Sequence, residues 1–116
     1  VWEAAMTAAH HKLDNVCAIV DANKVQENGP TSEIKNIEPI GEKWRSFGWH
    51  VLEVDGHNLQ ALINAFDEFK NVKSKPTAVI AHTIKGKGVS FMEGKAAWHG
   101  KAPNKEQLAQ ALAEIK

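Results

Sequence analysis

Asn23, Val25 and His99 stand where this sequence could do chemistry. In "AIVDANKVQENG", residues 18 to 29, an apolar run ends at Asp21-Ala22 and opens into a polar loop. Asn23 offers a neutral amide oxygen, and the backbone carbonyl of Val25 could point the same way. Such oxygens are hard donors of the kind Mg²⁺ or Ca²⁺ accepts, usually together with phosphates and a carboxylate. A second segment, "TIKGKGVS", has Gly86 and Gly88, which permit close backbone approach to an anion, with Lys85 and Lys87 adding charge. His99, in "AAWHGKAP", could donate to a phosphate oxygen or move a proton near neutral pH. A divalent ion with a diphosphate would satisfy all of these groups.

Each residue also has a plainer reading. Asn23 is a good turn former, and His99 beside a glycine suits an exposed loop. The "GKG" lacks the spacing of a Walker phosphate loop, and a lone G-x-G is weak. His10 and His11 are adjacent on a helix, so their imidazoles diverge and do not form an i, i+4 chelate. His50, His57 and His82 fall at strand ends, no Cys/His set has zinc spacing, and no G-x-S-x-G elbow is present.

The elements that must carry these residues follow from periodicity. Trp2, Ala5, Met6, Ala9 and Leu13 have helical spacing, so a first helix is expected to reach Leu13 before Asp14-Asn15. Val16 to Val20 form an unbroken apolar run, which suits a strand covered on both faces. The loop from Ala22 to Asn36 is long, and loops of that length are more often functional than mere connectors. Ile37, Ile40, Trp44 and Phe47 suggest a helix with Pro39 in its first turn and Gly48 as its stop. A strand over Trp49–Val54 follows, then a helix capped by Asn58 with Leu59, Leu62, Ile63, Phe66 and Phe69 along one stripe. Thr77 to Ala81 reads as another buried strand. Asn104 and Gln107 form a capping box for a last helix, with Leu108, Ala111, Leu112 and Ile115 expected inward. This alternation implies an α/β fold, a parallel sheet with helices on both faces. Ligands of such sheets bind beyond the carboxyl ends of the strands, where the two polar segments should meet.

Composition narrows the classes. The 116 residues are expected to form a single unit over 1–116, and 43% are hydrophobic, enough for a packed core. Basic and acidic residues number 14 each, so no charge excess points to nucleic acid or to an anionic membrane. Cys17 is the single cysteine and lies in the apolar run, which leans toward a reducing, cytoplasmic setting. Val1 is not methionine and no capping residue precedes the first helix, so the sequence reads as a fragment of a longer chain.

"VWEAAMTAAHHKLDNVCAIVDANKVQENG" resembles the thiamine-diphosphate motif of transketolases, particularly the N-terminal subunit of the two-chain form. The similarity continues through "FGWHVLEVDGHN", "KPTAVIAHTIKGKGVSFME" and "WHGKAPN", covering essentially the whole chain in order. It implies the C-terminal part of a thiamine-diphosphate-binding fold, acting with Mg²⁺ or Ca²⁺ to move a two-carbon ketol unit between sugar phosphates. On that resemblance Asn23 binds the metal through its side chain and Val25 through its carbonyl. His99 contacts the diphosphate and approaches the substrate as the catalytic residue, Ile84 and Lys85 pass close to the cofactor, and Glu3 supports a dimer interface. Implied partners are sugar-phosphate substrates, a pyrimidine-binding domain or C-terminal transketolase subunit, and a second copy in a homo-oligomer. The family further implies a cytoplasmic enzyme of the pentose phosphate pathway. Neither the Gly-Asp-Gly that opens the family motif, with its metal carboxylate, nor the glutamate of the pyrimidine-binding domain is in this sequence, so this chain by itself is expected to be inactive. Glu27 stands where the family commonly has an apolar residue near the cofactor. Two rivals remain: a fragment of 1-deoxy-D-xylulose-5-phosphate synthase, which shares a "KGKG" loop, and a non-catalytic α/β interaction module whose tryptophans meet a partner.

Overall fold

In the computed structural model, which describes residues 1–115, the apolar runs become the strands of a parallel sheet. Along the chain lie α1 (Trp2–His10), β1 (Cys17–Ala22), β2 (Val25–Gln26), β3 (Gly29–Pro30), α2 (Thr31–Ile34), α3 (Ile40–Ser46), β4 (His50–Asp55), α4 (Leu59–Asn71), β5 (Thr77–His82), a 3-10 turn at Ala96–Trp98, and α5 (Lys105–Glu114). They fall into two units, one of residues 1–22 and 38–82, the other of residues 23–37 and 83 onward.

The first unit holds the sheet, ordered β1-β5-β4. Ala18, Ala78 and Val51 lie in register, as do Ile19, Val79 and Leu52. Side chains alternate between faces, so these two rows look opposite ways. Ala18, Val20, Ala78 and Ile80 pack with Ala5 and Ala8 of α1 and with Ile40 and Trp44 of α3. The crossover helix α4 lies on the other side, with Ala61 and Ala65 beside Leu52 and Val54. Helices therefore flank the sheet on both faces, as the alternation of elements requires.

Burial is uneven. In β5 the residues from Thr77 to Ala81 are all buried, because that strand has neighbours on both edges and helices above and below. The edge strand β1 does not share this cover: Ile19 is 60% exposed. An apolar run reports which residues can be buried, and α4, spanning β4 to β5, does not reach the outer side of β1.

Helix boundaries also differ from expectation. α1 stops at His10 in a Schellman arrangement: the Leu13 N–H donates to the Ala8 carbonyl and the Lys12 N–H to that of Ala9, both at 3.0 Å. Lys12 takes the left-handed position at φ 50° that glycine usually fills. α3 begins at Ile40, so Ile37 lies outside it and Pro39 is its cap. Proline pushes the residue before it out of helical geometry, and the Glu38 carboxylate accepts the Ile40 N–H at 3.0 Å. Asn58 caps α4 as expected, accepting from the Ala61 N–H at 3.1 Å.

Trp44, expected in the core, is buried there with Trp49, whereas Trp2 is 40% exposed. The ring centroids of Trp44 and Trp49 are 4.6 Å apart, and Trp2 covers Trp44 at 5.6 Å. The Trp49 Nε1–H donates to the Ala5 carbonyl at 2.9 Å, tying the start of β4 to α1.

A charged chain crosses β5, β4 and α3. Glu53 meets His82 Nε2 at 3.3 Å and Arg45 at 3.1 Å, and Arg45 reaches Glu42 at 2.6 Å. The His82 hydrogen bond, aided by Arg45 and opposed by partial burial, holds the Glu53 carboxyl below its ordinary value. A carboxyl depressed on folding stabilises above its unfolded value, and that stability is lost as pH falls through the folded one. Glu53→Gln is expected to lower the melting temperature slightly near neutral pH, with the difference closing below the ordinary carboxylate range. The effect should stay under about 1 kcal/mol, because these side chains are well exposed and screened by water. A pH-independent difference in thermal melts would refute the linkage.

In the second unit, the expected capping box is present at α5: the Asn104 side chain accepts from the Gln107 N–H at 2.8 Å, and Gln107 answers the Asn104 N–H at 3.0 Å. The inward stripe is not. Ala111 is buried, whereas Leu108 and Leu112 are 48% and 65% exposed. Glu114, near the end of α5, accepts from the Ser90 N–H and hydroxyl and so pins the long segment after β5. Among the described residues no helix is long and apolar enough to cross a membrane.

Candidate diphosphate site

All five candidate residues, Asn23, Val25, Ile84, Lys85 and His99, fall in the second unit. The two segments that carry them enter it from adjacent strands. β1 and β5 end on the register partners Ala22 and His82, so Asn23 and Thr83 each begin one residue beyond neighbouring strands about 4.8 Å apart.

The loop expected from Ala22 to Asn36 contains a small hairpin. Val25 pairs with Pro30 and Gln26 with Gly29, with Glu27 and Asn28 at the tip. The Thr31 N–H donates to the Lys24 carbonyl at 2.9 Å. In an antiparallel pair, bonded and non-bonded positions alternate. Val25, next along from bonded Lys24, therefore turns its N–H and carbonyl away from β3, and Pro30 opposite has no N–H to offer. The Val25 N–H finds the Asn23 side-chain oxygen at 2.9 Å. One hydrogen bond thus sets the Asn23 amide against the outer edge of the hairpin, the edge toward which the Val25 carbonyl also faces.

This arrangement fits a divalent cation. An amide oxygen has two lone pairs, so accepting the Val25 N–H does not by itself exclude a metal from the same atom. The turn-former reading and the metal reading are compatible. Among the described residues no cluster of three His, Cys, Asp or Glu side chains could hold a metal by itself, so a cation here would take its remaining oxygens from elsewhere, phosphate included.

The other segment is built from successive turns. The Lys87 N–H donates to the Ile84 carbonyl at 3.1 Å, the Val89 N–H to Gly86 at 3.1 Å, and the Gly94 N–H back to Lys85 at 2.8 Å. Gly86 and Gly88 take φ of 69° and 90°, the left-handed region that lets the chain fold on itself. Sequence reasoning did not anticipate Glu93. Its carboxylate accepts from the Gly88 N–H at 3.2 Å and pairs with Lys87 at 3.4 Å. An internal carboxylate thus answers Lys87 and the second glycine, the groups that looked available for an anion. Lys85 is half-buried and Ile84 exposed.

His99 is exposed and follows the turn Ala96–Trp98, its N–H donating to the Ala96 carbonyl at 2.8 Å. β3 of the hairpin lies against that same turn. The hairpin bearing Val25 and the turn bearing His99 are therefore neighbours, while Glu27 projects into solvent at the hairpin tip. Elsewhere, His10 and His11, expected to diverge, instead stand edge to face at 5.0 Å beside Met6 and Thr7, and among the described residues no group of three His, Cys, Asp or Glu there could hold a metal. Partial burial raises the Cys17 thiol, which suits a packing residue rather than a nucleophile.

Comparison with known proteins identifies the family. The profile of the family described as "Transketolase, thiamine diphosphate binding domain" matches residues 1–115. The chain is 45% identical over 115 residues to the 6-deoxy-6-sulfo-D-fructose transketolase subunit SqwG of Clostridium sp. (strain MSTE9), covering 99% of this chain and 42% of that protein. It is 43% identical over 115 residues to an apulose-4-phosphate transketolase subunit of Phocaeicola vulgatus, covering 99% and 41%. Among solved structures, the transketolase from Campylobacter jejuni superposes with a TM-score of 0.87 at 31% identity, over 97% of this chain and 17% of that one. The chain thus spans about two fifths of the length of the subunits it resembles. With its parallel sheet and flanking helices, it belongs to the transketolase family, within the thiamine diphosphate-binding domain.

Proposed function

We propose that this chain supplies the metal and diphosphate contacts of a transketolase that transfers a two-carbon ketol unit between sugar phosphates. The carrying observation is the outer edge of the hairpin, where the Asn23 amide is fixed on the Val25 N–H and the Val25 carbonyl faces the same side. Asn23 and Val25 would hold Mg²⁺, or Ca²⁺ in its place. His99, on the turn against β3, would donate to a diphosphate oxygen and reach toward the substrate. Ile84 and Lys85 would line the approach. When bound, thiamine diphosphate supplies the reactive carbon for ketol transfer, and these residues hold and orient it.

The chain acts in this reading as one partial diphosphate-binding domain over residues 1–116, in a cytoplasmic enzyme. It would work with a pyrimidine-binding domain or a C-terminal subunit, in a homo-oligomer. The subunit names among its relatives support a partner chain.

Differential scanning calorimetry of the holoenzyme tests the proposal. Thiamine diphosphate and Mg²⁺ together should raise the melting temperature, by an increment equivalent to about 2.7 kcal/mol at a hundredfold excess over the dissociation constant. Either component alone should do much less. A protein whose melting ignores both would refute it.

A further inference from the structure

Trp98 immediately precedes His99, and its indole is held by three contacts. Its Nε1–H donates to the Phe91 carbonyl at 2.9 Å. Its ring meets that of Phe91 edge to face, with centroids 5.3 Å apart. The ammonium of Lys101 stands 5.1 Å from the ring centroid, a cation on an aromatic face. Phe91 in turn follows buried Val89, whose carbonyl accepts from the Met92 and Glu93 N–H groups at 2.9 Å, and Ser90, which is fixed by Glu114. The anchor is therefore itself anchored.

His99 is exposed, so its backbone decides where its ring can go. Its own N–H bonds only back into the short turn, to Ala96, and Gly100 beyond it takes φ 70°. Of its two flanking residues, Trp98 alone has a side chain that can hold the position. The geometry points to Trp98 as the positioning residue of His99: the indole, locked on Phe91, sets the imidazole where the diphosphate and substrate come. This rests on the diphosphate reading of His99 and adds the group through which that histidine is placed. An indole suits the task because it combines a hydrogen-bond donor with a broad face for the neighbouring ring and ammonium.

A double-mutant cycle in the holoenzyme separates positioning from mere structural support. The variants are Trp98→Leu, His99→Ala and the pair, with kcat/KM and thiamine diphosphate affinity as readouts. Misplacing a catalytic group by about 1 Å can cost up to roughly 100-fold, so Trp98→Leu should lower kcat/KM by about 10-fold or more. In the His99→Ala background the same substitution should cost less than about twofold, because groups that act through one another are not additive. Trp98→Phe keeps the stack on Phe91 and loses the hydrogen bond, so it should recover most of the activity. If Trp98→Leu does not yield folded holoenzyme, the cycle is run with Trp98→Phe, expecting about a threefold loss that again disappears without His99. An equal penalty with and without His99 overturns the positioning role. A His99→Ala enzyme with unchanged kcat/KM and cofactor affinity overturns instead the diphosphate reading, and this inference with it.

Discussion

Asn23→Ala is expected to weaken Mg²⁺-dependent binding of thiamine diphosphate to the holoenzyme by about 100-fold, since even outer-shell partners of a metal are worth 10- to 100-fold. The substitution removes two things at once. One is an oxygen donor. The other is the hydrogen bond to the Val25 N–H at 2.9 Å, which fixes the turn that leads into the hairpin. Asn23→Asp separates these losses, because it keeps an oxygen at the same place and can still accept from Val25. It should bind cofactor within about 10-fold of the unsubstituted protein, the hard cation tolerating a carboxylate. Val25→Ala makes the complementary test. It leaves the carbonyl and the antiparallel pairing in place, so affinity should change by less than about threefold if the backbone is the ligand. Calorimetric titration at fixed Mg²⁺, with circular dichroism to confirm the fold, measures all three. Normal affinity in Asn23→Ala would remove the metal from this edge, and a Val25→Ala loss as large as that of Asn23→Ala would assign the effect to packing.

Asn23 could be singled out from the sequence because an apolar run opens there into a polar loop with an oxygen donor, although a turn alone would explain it and its metal role is what the resemblance implies. The geometry that makes Val25 useful could not. β2 and β3 are two residues each, too short for alternation to show, and the hairpin is hidden in what reads as one long loop. The direction of the Val25 carbonyl depends on its phase relative to the Lys24–Thr31 hydrogen bond, which is a property of pairing and not of residue type. Glu93 was missed for a similar reason. A carboxylate five residues beyond Gly88 has no sequence signature until the intervening turns bring it back to the Gly88 N–H.

The framework was more legible, and its errors share a cause. The strands, the Asn58 cap and the Asn104–Gln107 box all depend on local chemistry within a few residues, and all are present. Ile19, Leu108 and Leu112 were expected inside and lie exposed. Periodicity identifies residues that share a face. It does not say that a neighbour covers that face, which depends on where α4 crosses or what packs on α5. The Lys12 stop of α1 is the reverse case, a residue without glycine's freedom taking a left-handed φ because two backbone hydrogen bonds hold it there.

Gly86 and Gly88 look equivalent in "KGKG", and alanine substitution should show that they are not. Both take a left-handed φ, which costs a residue with a Cβ about 1–2 kcal/mol. At Gly88 that is the whole cost, for a Cβ there would meet nothing within 4 Å. At Gly86 the new atom would come within 2.9 Å of the Met92 Cβ and 3.0 Å of the Met92 carbonyl carbon and oxygen. Backbone cannot swing aside as a side-chain tip can, so an overpacking penalty of about 1–3 kcal/mol is added. Gly86→Ala should therefore destabilise the protein by about 2–5 kcal/mol against about 1–2 for Gly88→Ala, the sum of those two penalties against the first alone. The displacement has a direction. Pushing Met92 away opens the turn closed by the Gly94 N–H on the Lys85 carbonyl at 2.8 Å, and Ile84 and Lys85 lie at the start of that turn. Loss of cofactor affinity should accompany loss of stability in Gly86→Ala and be nearly absent in Gly88→Ala. Thermal melts and cofactor titrations of the two variants read both quantities. Equal losses would mean that the approach of Gly86 to Met92 does not shape the loop, and that the two glycines serve only their φ.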